Sequence, residues 1–116
     1  AQHELSNLTV IVDNNQISML GPTDEIISHR DLVAKFSAFG WESFVVEDGH
    51  NVSQIFDGYT AASQSKASCP KALIVNTRKG NRVPGLENSP LSHVTAIKPE
   101  LISELLGEFN ESYRNN

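Results

Sequence analysis

Leu8-Thr9-Val10-Ile11-Val12 runs without polar alternation, and four of its five residues are β-branched. Such a run predicts a strand buried on both faces of a parallel sheet. It leads directly into Asp13-Asn14-Asn15, short side chains that favour turns and tolerate unusual backbone angles. In an open α/β sheet, ligands collect outside the carboxyl ends of the strands. The turn therefore offers carboxylate, amide and main-chain carbonyl oxygens where a ligand would sit. Oxygen donors of that kind suit a hard cation such as Mg²⁺ or Ca²⁺. The same three residues also end strands that bind nothing.

The rest of the chain repeats the theme. Met19 to Asp24 is loop-like, with Gly21-Pro22 as a breaker. Asp31 caps a short helix whose apolar residues Leu32, Val33, Phe36 and Phe39 recur at helical spacing, and Gly40 stops it. Trp41 to Val46 reads as a second strand, ended by Glu47-Asp48-Gly49. A helix starting at His50 or Asn51 sets Val52, Ile55, Phe56, Tyr59 and Ala62 on one stripe, with Gly58 weakening it slightly. Ala72 to Asn76 is a third buried strand. Thr77 to Lys98 is irregular, and a loop of that length in a compact domain is commonly functional. Pro99 fits the first turn of a final helix over about 99–110, with Leu101, Ile102, Leu105, Leu106 and Phe109 as its buried face and a polar, frayed tail after it. Strand, helix, strand, helix, strand, loop, helix implies an α/β fold: a three-stranded parallel βαβαβ unit. Three strands leave edges to be covered, so the unit reads as part of a larger sheet.

At 116 residues the chain is one domain at most. Its net charge of −5 argues against a nucleic-acid or anionic-membrane surface, and no apolar stretch approaches a membrane span. One cysteine, Cys69, excludes an internal disulfide and fits a reducing compartment, so the cytoplasm is the expected location.

Among residues that could carry chemistry, Asn15 and the carbonyl of Ile17 could both ligate a cation. Asp13 is a further candidate, though it more commonly braces a turn. Two ligands do not complete an octahedral site, so another carboxylate and a phosphate must come from elsewhere. Thr77-Arg78-Lys79-Gly80-Asn81-Arg82 places three cations beside a glycine directly after the third strand, where they could hold a phosphate-bearing ligand or simply face solvent. His93, within the long loop, has the chemistry for phosphate contact and proton transfer. No serine, cysteine and histidine arrangement reads as a nucleophile with its base.

Val12-Asp13-Asn14-Asn15-Gln16-Ile17-Ser18, Gly21-Pro22-Thr23-Asp24-Glu25, Ala38-Phe39-Gly40-Trp41, Asp48-Gly49-His50, Lys79-Gly80, Glu87-Asn88 and His93 occur in this order over nearly all of the chain. The series resembles the thiamine diphosphate-binding half of transketolases, especially the bacterial split form made of two subunits. The resemblance implies that Asn15 is the side-chain ligand of the Mg²⁺ (or Ca²⁺) bridging the diphosphate, and that Ile17 gives the main-chain carbonyl ligand. It implies that Met19 packs against the bent thiamine, where the family has an aliphatic residue. Lys79 and His93 match loop residues that reach the cofactor and reacting centre, His93 touching the diphosphate and helping proton movement. Four positions depart from the pattern: Gln16 replaces a glycine, Leu20 an aspartate, Arg82 a second glycine and Ser92 a tryptophan.

Other parts of the family's machinery match nothing in this sequence. These are the Gly-Asp-Gly segment that brings the metal's carboxylate, the histidine-rich substrate segments and the glutamate of the pyrimidine-binding domain. The resemblance is thus to the second half of the diphosphate-binding domain. It implies a fragment of a split transketolase-like enzyme, inactive alone, with an upstream piece and a pyrimidine-domain subunit as partners and sugars or sugar phosphates as substrates. A non-catalytic assembly remnant is the alternative, suggested by Arg82 and Ser92.

Overall fold

A computed structural model of the chain describes residues 1–114, and the burial of side chains 1–107. In chain order its elements are β1 (Thr9–Asn14), β2 (Ile17–Ser18), β3 (Gly21–Pro22), α1 (Thr23–Ile26), α2 (Leu32–Ala38), β4 (Glu42–Val46), α3 (Val52–Gln64), β5 (Lys71–Asn76) and α4 (Pro99–Arg114). β1, β5 and β4 form a parallel sheet in that order, with Asn14 opposite Asn76 and Val46 opposite Val75 at its carboxyl edge. β2 and β3 make a minimal antiparallel hairpin on the exit from β1. This hairpin and α1 replace the plain loop expected there.

The chain crosses from β1 to the far edge at β4, then returns to β5 in the centre. Right-handed crossovers running in opposite directions place their helices on opposite faces of the sheet. α2 accordingly lies over Val45 and Ile74, with Asn14, Asp31, Val33 and Asn76 rimming a groove between them. α3 lies over Val46 and Leu73 on the other face. Asp31 caps α2 through the Ala34 N–H at 2.8 Å, and Asn51 caps α3 through Ser53 and Gln54.

The doubly buried strand is β5, not β1. Lys71 to Val75 are all buried, whereas Ile11 in β1 is 60% exposed because β1 is an edge strand of this sheet. An unalternated run fits either position in a wider sheet, which is why sequence pattern does not separate them.

The buried line of α3 also differs from the apolar stripe. An added Cβ at Gly58 would stand 2.6 Å from Val46 Cγ2, so the missing side chain is what lets the helix settle on the sheet. Contact therefore follows Gly58 and Ala62, and the larger Val52, Phe56 and Tyr59 are left exposed. In α4, which continues to Arg114, Leu101, Ile102 and Leu106 are exposed and Leu105 half-buried, since among the described residues the helix makes no extensive contact with the sheet. Phe109 lies outside the residues whose burial is described.

Among the described residues, Lys71 is the one charged residue of the core, 2% exposed. Its ammonium donates to the carbonyls of Ser6 at 2.8 Å and Ala67 at 2.9 Å, which satisfies it and ties the lead-in to the α3–β5 connection.

Candidate functional site

The carboxyl ends of β1, β5 and β4 converge on one edge, and side chains there link the strands. Asn14 Nδ2 donates to Asn76 Oδ1 at 2.8 Å, and Asn76 Nδ2 donates to Glu47 Oε2 at 3.3 Å, a chain that crosses all three strand ends. On the opposite face, the Thr77 hydroxyl donates to Asp13 Oδ1. Asp13 also accepts a long bond of 3.5 Å from Asn15 Nδ2. Asp13 thus braces the turn, the commoner of its two expected roles.

Asn15 turns its side-chain oxygen back to the main chain, accepting the Ile17 N–H at 3.0 Å. This Asx turn forces a sharp reversal, and Gln16 inside it has φ 59°. The Thr23 N–H donates to the Gln16 carbonyl at 2.9 Å, so Gln16 and Thr23 are a hydrogen-bonded pair. Ile17 and Pro22, next in register, are then a non-hydrogen-bonded pair whose backbone groups point out of the hairpin. Pro22 has no N–H to offer in any case. The result is an amide oxygen with a lone pair to spare beside an outward-facing carbonyl. Met19 and Leu20 form the hairpin tip, both exposed.

The second part of the site hangs on the β4–α3 turn. An added Cβ at Gly49 would meet Val75 Cγ1 at 2.5 Å, Thr77 Cγ2 at 2.6 Å and the Asn76 carbonyl at 2.8 Å. Only glycine lets this turn lie flat on the end of β5, where its N–H donates to the Asn76 carbonyl at 2.7 Å. The next residue, His50, accepts the Arg78 N–H on Nε2 at 2.8 Å. Asp48-Gly49-His50 is therefore a clamp on Asn76 to Arg78, where sequence pattern alone marks only the end of a strand.

Beyond the clamp the loop closes on itself. Glu87 pairs with Arg78 at 3.2 Å and accepts the Arg82 N–H at 2.9 Å, while the Asn88 N–H donates to the Lys79 carbonyl at 2.8 Å. The Arg82 N–H and the Arg78 guanidinium hold the Glu87 carboxyl below its usual value of 4.5. Lys79 sends its ammonium to the Pro90 carbonyl at 3.1 Å, inside the loop, and His93 is exposed further along it. Asn15 and Ile17 are thus together at the β1 exit and Lys79 follows the neighbouring β5. Among the described residues no hydrogen bond joins His93 to either group.

Among the described residues, no group of three or more His, Cys, Asp or Glu side chains is arranged to hold a metal. A cation at this edge would rest on the amide and carbonyl oxygens of Asn15 and Ile17, completed by donors from elsewhere. Residues 1–111 match the thiamine diphosphate binding domain of transketolase. The chain belongs to the transketolase family. Transketolase of Aquifex aeolicus is 30% identical over 106 residues, covering 91% of this chain and 15% of that protein. One subunit of the apulose-4-phosphate transketolase of Phocaeicola vulgatus is 27% identical over 110 residues, covering 95% of this chain and 38% of that subunit. The crystal structure of transketolase from Campylobacter jejuni superposes with a TM-score of 0.80 at 26% identity, over 92% of this chain and 16% of that one. The chain spans well under half the length of the transketolases it matches.

Two of the four departures from the transketolase pattern fall at left-handed backbone. Gln16 at φ 59° and Arg82 at φ 61° both stand where a glycine was expected. The glycine preference is thus explained by the backbone, and this chain keeps the conformation without the glycine.

Proposed function

We propose that this chain is one component of a split transketolase-like enzyme, holding Mg²⁺ and thiamine diphosphate for ketol transfer. The observation that carries the reading is the Ile17 N–H bond to Asn15 Oδ1, which sets that amide oxygen beside the outward Ile17 carbonyl at the carboxyl edge of the sheet. Both are neutral oxygen donors, the kind a hard divalent cation takes, and four further positions remain for a carboxylate, the diphosphate and water. When bound, thiamine diphosphate supplies the carbanion chemistry that moves a two-carbon unit from a ketose to an aldehyde acceptor. Asn15 and Ile17 hold the cation, and Met19 offers an adaptable apolar surface to the thiamine. Lys79 shapes the loop over the reacting centre, and His93 holds or moves a proton at its imidazole.

An upstream piece carrying Gly-Asp-Gly supplies the missing carboxylate and covers the open edge at β1, where Ile11 is exposed. A pyrimidine-domain subunit completes catalysis, and the chain alone is inactive. Sugars or sugar phosphates are the substrates, and the cytoplasm is the location. Among the described residues no helix is long and apolar enough to cross a membrane. Reconstitution tests this reading: ketol transfer is expected only with all pieces present, and turnover of a ketose phosphate by the purified single chain overturns it.

A second reading, a non-catalytic assembly component, is favoured by Leu20, which is 84% exposed where an aspartate was expected. It predicts an assembled complex that takes up neither metal nor thiamine diphosphate.

A further inference from the structure

His50 stands outside the set of residues assigned to the cofactor, yet its side chain, with the Thr77–Asp13 contact, fixes the start of the Lys79 loop to the body of the fold. Its Nε2 accepts the Arg78 N–H at 2.8 Å, across 28 residues of chain. Nε2 can accept only while it carries no proton, so this contact requires the Nδ1–H tautomer. The ring is placed from below by two contacts of its own turn. The His50 N–H donates to Asp48 Oδ1 at 3.0 Å, and the Gly49 N–H holds the Asn76 carbonyl at 2.7 Å. The Arg78 main chain is otherwise at the point where β5 ends and ladder hydrogen bonds stop. Lys79 follows immediately, and its ammonium reaches Pro90, so the position of Arg78 propagates into the segment that leads to His93.

We propose that His50 is a positioning residue: by lending its Nε2 lone pair to the Arg78 N–H, it sets the root of the loop that carries Lys79. The inference deepens the proposed function, because it gives the loop's placement over the reacting centre a specific holder. Asp48 on its own turn, Arg78 from the exit of β5 and Glu87 from the loop are the charged groups near the ring. Glu87 also holds the Arg78 guanidinium, so the loop closes on itself beyond the His50 contact.

Nuclear magnetic resonance on the ¹⁵N-labelled 116-residue chain tests this without cofactor or partner. Long-range ¹H–¹⁵N spectra above the range in which imidazoles ordinarily protonate are expected to show the Nδ1–H tautomer at His50; the Nε2–H tautomer overturns the proposal. His50→Phe removes the acceptor and is expected to speed exchange of the Arg78 amide about fivefold, the equivalent of one ordinary hydrogen bond. His50→Gln places an amide oxygen near the Nε2 position and is expected to keep exchange within about twofold of the wild type, well below that loss. Equal exchange in His50→Phe and wild type, or exchange in His50→Gln as fast as in His50→Phe, contradicts the assignment. Cofactor binding enters none of these readouts, so this proposal and the proposed function fail separately.

Discussion

The side-chain oxygen of Asn15 accepts the main-chain N–H of Ile17 at 3.0 Å, and the register of the following hairpin turns the Ile17 carbonyl outward. One short turn therefore does two things. It ends the first strand, and it presents two oxygen donors at the edge where parallel sheets bind ligands. The conformation has a cost, since Gln16 sits within it at φ 59°.

That cost gives a first prediction. Gln16→Gly and Arg82→Gly each relieve a left-handed residue and should stabilise the chain by about 0.5–1 kcal/mol, part of the gain being offset by the greater freedom of glycine in the unfolded chain. The two lie in separate loops, so the double variant should be close to additive. Urea unfolding midpoints read the effect, and a midpoint lowered by either substitution contradicts the assignment of strain.

Two helical glycines should behave oppositely. Gly107 faces open space, so alanine there should add up to about 1 kcal/mol of helix stability. At Gly58 the same change drives a methyl to 2.6 Å from Val46 Cγ2 and 3.3 Å from Leu73 Cδ1. Overpacking of about 1–3 kcal/mol then outweighs the gain in propensity, and the chain should lose stability. Equal effects at the two positions in thermal or urea unfolding contradict the close packing of α3 on the sheet.

Lys71→Ala should destabilise by about 2–4 kcal/mol, since it leaves two carbonyls without their charged donor and a void under the central strand. A loss below about 0.5 kcal/mol, the range of an ordinary surface change, shows that the ammonium is not holding the lead-in.

The loop clamp should respond to acid. The Glu87 carboxyl is held below 4.5 in the folded chain by the Arg82 N–H and the Arg78 guanidinium. A carboxyl depressed by folding contributes stability above its unfolded value and loses it as the pH falls through the lowered folded value. Protection of the Arg82 amide should therefore be constant near neutrality and fall only below the usual carboxylate range. Glu87→Gln should remove that acid dependence, and an unchanged profile in the variant contradicts the clamp.

The order of the elements was legible because β1 and β5 are unalternated apolar runs and β4 ends in Phe44-Val45-Val46, and because Asp31, Gly40, Asn51 and Pro99 mark helix ends by their own chemistry. What sequence pattern missed depends on shape. Gly58 reads as a weak point in a helix, yet it is the place of closest approach to the sheet, and it rotates Phe56 and Tyr59 outward. Asp48-Gly49-His50 reads as a strand end, because nothing local reveals that Gly49 must lie against Asn76. β1 was expected in the interior and is an edge strand of this sheet, since one sequence cannot show which strands flank it. Asn15 and Ile17 are legible as oxygen donors after the first strand, and the resemblance to transketolases singles them out for the cation. The Asx turn and the hairpin register then show how their two oxygens come to the same edge.

The central claim is tested most directly by calorimetric titration of thiamine diphosphate, with Mg²⁺ present, into the complex reconstituted from this chain, the upstream piece and the pyrimidine-domain subunit. The wild-type complex should bind, and Asn15→Ala should weaken binding at least tenfold, because it removes one metal ligand and the turn that presents the other. Equal affinity in the two complexes would show that the cation and its diphosphate rest on other groups, and the role assigned to Asn15 and Ile17 would be wrong.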